Sequence, residues 1–160
     1  MIVMTRVDHR LLHGQVVFAW SKFTGTDCIL IANDSLASNK LRMNALRLAK
    51  PEGVKLVMKS VDDSIAAITS GATDKYKLFI IIESIADAAR LCQGLVGTDW
   101  AIKELNLGGV AVAENKRQIS KAVSVSDEEC ELIRGLEAAG THCYVQMVPS
   151  EQAQDALALI

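Results

Sequence analysis

The run Leu78-Phe79-Ile80-Ile81-Ile82 has no polar side. Successive residues of a strand point to opposite faces, so a continuously apolar strand has to be covered on both, and the common solution is a parallel sheet between two layers of helices. Six further strand-like runs, Ile2–Val7, Cys28–Ala32, Val54–Lys59, Ile102–Leu107, Ala122–Val125 and Cys143–Val148, are each close to the usual strand length of ~5 to 6 residues. Helical patterns lie between most of them, at Gln15–Thr24, Leu36–Lys50, Val61–Ser70, Ile85–Leu95 and Asp127–Ala139, with a last one at Gln152–Leu159. In Leu36–Lys50 the apolar Leu36, Met43, Leu46 and Leu48 are interspersed with Lys40, Arg42 and Arg47, which leaves one side wet. The alternation predicts one doubly wound α/β domain over 1–160: a mostly parallel sheet of about seven strands with helices on both faces.

Punctuation agrees with these boundaries. Pro51-Glu52-Gly53 separates a helix from a strand, Ser126 with Glu129 resembles a capping box, and Gly140 can close the helix before it. Gly109–Ser120 is the least regular stretch and reads as a long loop or small excursion. No apolar run approaches the ~18 to 20 residues of a membrane span, and no secretory leader is visible, so a cytoplasmic location is expected. Cys28, Cys92, Cys130 and Cys143 are widely spaced and read as buried reduced thiols. With 17 basic and 19 acidic side chains the formal charge is −2, which argues against nucleic-acid binding; attraction for phosphate has to be local.

In doubly wound sheets ligands bind beyond the carboxyl ends of the strands. The loop after the first strand carries the densest chemistry: Arg6-Val7-Asp8-His9-Arg10-Leu11-Leu12-His13-Gly14-Gln15-Val16. An ordinary imidazole has a pKa of ~6.5, so near neutrality His13 can act as an uncharged nucleophile towards phosphorus. It stands just before a helix, whose free N–H groups at Gly14, Gln15 and Val16 and whose dipole favour an anion. Arg10 and Arg6 supply positive charge, Arg10 as the direct two-pronged clamp, and Asp8 can orient Arg10 or a ring N–H of His13.

Each residue also has a plainer reading. A single histidine at a helix start is commonly a cap or a packed core residue, and a single arginine is commonly a solvated charge. His9 and His13 are four apart, as metal ligands on one helix would be, but Arg10 sits where a metalloprotease motif has Glu, Gly14 weakens a continuous helix, and His142 is far along the chain. No metal is therefore expected. The pairs Asn33-Asp34 and Gly108-Gly109 follow strands and fit either the border of the site or ordinary turns.

The loop resembles the phosphorylation-site loop of IIB subunits from the mannose, fructose and sorbose group of sugar phosphotransferase systems, usually R-[IV]-D-D-R-L-[IL]-H-G-Q-V. His9 replaces the second acidic position. Ala32-Asn33-Asp34, Pro51-Glu52-Gly53-Val54, Asn106-Leu107-Gly108-Gly109, Ile119-Ser120-Lys121-Ala122 and Val148-Pro149 resemble landmarks of the same family in the same order, so the likeness spans essentially the whole chain. The resemblance implies that His13 takes a phosphoryl group from a phosphohistidine on a IIA protein and passes it to a sugar held by membrane IIC and IID components. It implies Arg10 as the phosphate-contacting arginine, Arg6 and Asp8 as support, and no nucleotide, metal or other cofactor. The Val-Asp-His-Arg-Leu-Leu-His-Gly form is most similar to N-acetylgalactosamine or galactosamine systems. Two other readings suit a histidine beside Arg10: a phosphohistidine-based phosphatase, and a regulatory module that holds a sugar phosphate or other anion without covalent change.

Overall fold

The computed structural model describes all residues, 1–160. The strands are β1 (Ile2–Asp8), β2 (Cys28–Ala32), β3 (Lys55–Lys59), β4 (Leu78–Ile82), β5 (Glu104–Gly109), β6 (Arg117–Gln118), β7 (Ser124–Val125), β8 (His142–Val145) and β9 (Gln154–Asp155). The helices are α1 (Gly14–Thr24), α2 (Lys40–Ala49), α3 (Val61–Thr69), α4 (Ile85–Leu95), α5 (Asp127–Ala138) and α6 (Ala156–Leu159), with a single 3₁₀ turn at Leu36–Ser38. The main sheet has seven strands in the order β3-β2-β4-β1-β5-β8-β9, all parallel except the β8–β9 pair.

The doubly wound α/β fold is as expected, and β4, the apolar run that predicts it, is wholly buried. Met4, Ile29, Ile31, Phe79 and Ile81 pack with Val17 and Trp20 of α1 and Leu46 of α2 on one face. The larger cluster on the other face joins Val7, Leu30, Ile80 and Leu107 to α3, α4 and α5 through Ile68, Leu91 and Ile133. Alternate residues of one strand thus feed opposite cores.

Three expectations change in detail. The seventh strand is β9, whereas Ala122–Val125 meets the main sheet only through a parallel bridge of Val123 to Val110, just past β5, and its last two residues pair with β6 as a separate antiparallel ribbon. Leu36–Lys50 is not continuous: Asn39 interrupts it and caps α2 by accepting the Arg42 N–H at 3.0 Å. The last helix is shortened to α6, capped by Asp155, because the residues before it form β9. Ser126 caps α5 by accepting the Glu129 N–H at 3.2 Å, and Gly140 adopts φ +96° just past its end.

The chain leaves β1 through α1 on one face and leaves β5 towards α5 on the other. Neighbouring loops beyond the carboxyl ends of β1 and β5 therefore part, and a crevice opens between them.

Candidate functional site

That crevice has a volume of about 340 Å³, and Asp8, His9, Arg10, His13, Gly14, Gln15, Val16, Gly108 and Gly109 all line it. Its floor is built by a short turn after β1. The Leu11 N–H donates to the Asp8 carbonyl at 2.9 Å, and Leu11 adopts φ +56°, a left-handed conformation costing about 1 to 2 kcal/mol for a residue with a Cβ. Leu11 and Leu12 offset that strain by burying their side chains with Val17 and Trp20. The next residue, His13, is left projecting over the crevice with its side chain 19% exposed.

Asp8 organises the turn. One carboxylate oxygen, Oδ1, accepts the Arg10 backbone N–H at 3.1 Å; the other, Oδ2, lies 2.9 Å from His13 Nε2 and accepts from Arg6 at 3.1 and 3.3 Å. An ionised carboxylate only accepts, so in the neutral ring the shared proton sits on Nε2 and Nδ1 is the nitrogen that carries the lone pair. Of the two roles expected for Asp8, holding the His13 ring is the one its side chain fills, while its contact with Arg10 is to the main chain.

Arg6 sits where a supporting residue would, and it does so from a buried position. It is buried to 1% exposure, and besides Asp8 it donates to Asn106 Oδ1 at 2.6 Å and to the Gln146 carbonyl at 3.2 Å. Burial pushes its pKa down and the Asp8 charge opposes that shift. Its guanidinium fixes Asp8 from beneath and is not a free phosphate clamp. Arg10 is exposed at the rim, within the lining of the crevice.

Gly108 is where the two strands fit together. Pairing runs Val7 to Leu107 and then Asp8 to Gly109, so Gly108 bulges, and a Cβ there would lie 1.9 Å from Arg6 Cζ. At Gly109 a Cβ would come within 3.0 Å of Asp8 Oδ1. Both glycines border the site. Asn33 and Asp34 do not line it: Asn33 accepts from the Ser35 N–H and hydroxyl, and Asp34 accepts from the Val61 N–H and Arg90, which organises the neighbouring loops.

Helix α1 starts at His13 without a side-chain cap, whereas Asn39, Ser60, Ser84, Ser126 and Asp155 cap the other helices. Gly14 takes φ +44°, with nothing within 4 Å of where a Cβ would stand, so N–H groups of the first turn face an open approach. His9 donates its N–H to the Gly109 carbonyl at 3.0 Å and lies beside the crevice, its Nδ1 buried without a partner.

Asn106 and Gln146 were not among the sequence candidates. Asn106 holds Arg6 and donates to the Gln146 carbonyl at 3.0 Å, and Trp20 Nε1 donates to the Met147 carbonyl at 2.9 Å, tying α1 to the loop after β8. A signal existed for Asn106, a lone amide between Leu105 and Leu107 in an apolar strand, because a buried polar side chain requires a partner.

The arrangement places an imidazole, helix N–H donors and an exposed guanidinium around a crevice with ample room for a phosphoryl group, with Asp8 as the only carboxylate lining it. No helix is long and apolar enough to cross a membrane. Residues 2–160 match the family described as PTS system sorbose subfamily IIB component. The N-acetylgalactosamine-specific phosphotransferase enzyme IIB component 2 of Escherichia coli is 33% identical, over 99% of this chain and 98% of that protein. The sorbose-specific EIIB component of Lacticaseibacillus casei is 31% identical, over 99% and 94%. The crystal structure of the IIBSor domain of the sorbose permease from Klebsiella pneumoniae superposes with a TM-score of 0.91, at 29% identity, covering 99% of this chain and 94% of that one. The fold, the loop and these likenesses converge: the chain belongs to the sorbose and mannose family of phosphotransferase-system IIB components, phosphoryl carriers in sugar uptake.

Proposed function

We propose that His13 is the phosphoryl carrier, taking the group on Nδ1 from a phosphohistidine of a IIA protein and passing it to an amino sugar held by membrane IIC and IID components. The observation that carries this reading is the 2.9 Å contact between His13 Nε2 and Asp8, which leaves Nδ1 as the nucleophile. In the forward step the Nδ1 lone pair attacks phosphorus while the donor's P–N bond breaks, its electron pair returning to the donor imidazole. The His13 ring gains positive charge as the bond forms, and Asp8 lies against that charge. Arg10 and the N–H groups of Gly14, Gln15 and Val16 neutralise the phosphoryl oxygens, which is the main catalytic demand of phosphoryl transfer. In the second step a sugar hydroxyl attacks phosphorus and gives its proton to a base of the membrane component, while the P–Nδ1 bond breaks with its electron pair returning to His13, which recovers the same tautomer.

The carrier reading is favoured over a hydrolase because Asp8, the sole carboxylate of the crevice, is engaged by Arg6 and His13 and has no oxygen to spare for activating water. The amino sugar rests on the loop's Val-Asp-His-Arg-Leu-Leu-His-Gly form and on the name of the Escherichia coli relative. The chain works in the cytoplasm, docking peripherally on its transporter. Incubation with phosphoenolpyruvate, the general phosphotransferase proteins and a matching IIA adds one acid-labile, base-stable phosphoryl group by intact mass, and His13→Ala abolishes it. Wild-type labelling of that variant overturns the assignment.

A further inference from the structure

Helix α1 carries two apolar sides. Val17 and Trp20 face the core, while Phe18 and Phe23 remain 46% and 71% exposed on the outside. One apolar stripe is enough to dock a helix onto a sheet, and Phe23 meets the core only edge-on through Trp20, at 5.8 Å between ring centroids, so most of the second stripe is surplus to folding. Phe18, Ala19 and Phe23 line a groove of about 730 Å³ with Val148 and Pro149 of the loop after β8, and with Gln15 and Lys22 at its edges. Gln15 also lines the His13 crevice, so groove and crevice are continuous through one side chain.

We infer that this groove is the docking surface for the phosphoryl-donating IIA protein, which inserts apolar side chains between Phe18, Phe23 and Pro149 and presents an acidic rim to Lys22 and Arg10. The inference rests on the carrier reading of His13. A protein that delivers a phosphoryl group to Nδ1 must bring its own imidazole into the crevice and close over its edge, and the groove begins at that edge. The two phenylalanines offer on the order of 200 Å² of exposed aromatic surface. That suits the small interface of a partner that must leave after each transfer, below about 1,200 Å² in total.

Charge separates the donor from the transporter. No acidic residue lines the groove, Asp8 is the only one in the crevice and is buried, and Lys22 and Arg10 are exposed. The cytoplasmic loops of membrane proteins carry an excess of Lys and Arg, so a cationic rim is repelled there and is complementary to an acidic soluble partner.

The test compares two phosphoryl sources on the full chain and on F18E and F23E variants, with circular dichroism confirming the fold. Phosphoramidate, a small donor, is expected to label His13 equally in all three. Transfer from phosphorylated IIA of an N-acetylgalactosamine system is expected to fall roughly tenfold or more in the variants, through KM, as for a central aromatic anchor. Lys22→Glu is expected to weaken the same step in a salt-dependent way. Unchanged IIA transfer in F18E and F23E overturns the docking surface. So does a loss confined to onward transfer into sugar through IIC and IID vesicles, or wild-type self-association that F18E abolishes. Failure of phosphoramidate to label wild-type His13 instead overturns the carrier reading on which the surface rests.

Discussion

His13 Nε2 lies 2.9 Å from Asp8 Oδ2, and the same oxygen accepts from Arg6. One carboxylate thus links a buried cation to the proposed nucleophile and sets which ring nitrogen is available.

Asp8→Asn keeps the shape of the side chain but removes the charge that balances Arg6 and holds the Nε2 proton. Phosphorylation of His13 is expected to slow roughly 10- to 100-fold, as when a supporting partner of a catalytic histidine is lost. The variant is also expected to lose about 3 kcal/mol of stability, the usual penalty for leaving a buried charge unpaired. Rapid-quench labelling and urea denaturation measure the two effects, and full activity with full stability is the contrary result.

Arg10→Ala removes an exposed side chain that makes no packing contact in the core. Its melting temperature is expected to stay within a degree or two of wild type, while transfer slows about 10²-fold through loss of charge stabilisation in the transition state. An unchanged rate removes Arg10 from the mechanism.

Gly108→Ala places a methyl group where Arg6 Cζ stands, 1.9 Å away, whereas at Gly109 the nearest atom is at 3.0 Å. The first substitution is expected to cost about 3 kcal/mol or more, because it overpacks the strand and displaces a buried ion pair. The second is expected to cost about 1 kcal/mol, at the lower end for overpacking. Chemical denaturation of the pair checks the order; equal stabilities contradict the packing.

Burial pushes the Cys143 thiol up to about 12, with Glu137 adding to the shift, and burial pushes Cys92 up to about 11. Both folded values lie above the ordinary thiol value, so unfolded chains release these protons first. The stability they contribute is complete below about pH 8.5 and is lost as pH rises through 11 to 12. At pH 8 an alkylating reagent is expected to leave all four buried cysteines unmodified until denaturant is added. Rapid labelling of the native protein is the contrary outcome.

Local sequence determined the alternation of strands and helices, because a run such as Leu78–Ile82 admits no wet face and capping signals such as Ser126 act within a few residues. It also determined the loop: Asp8, Arg10, His13 and Gly14 are close along the chain, so a turn between a strand and a helix start brings them together whatever the rest does. Tertiary structure decided what lies beneath them. Arg6 reads only as a supporting charge of the loop until β5 and the loop after β8 supply Asn106 and Gln146, 100 and 140 residues away, as its buried partners. The swap of Ala122–Val125 for β9 in the sheet has the same origin: short segments of similar propensity are chosen by which edge is open to pair, a non-local condition that no window of residues contains.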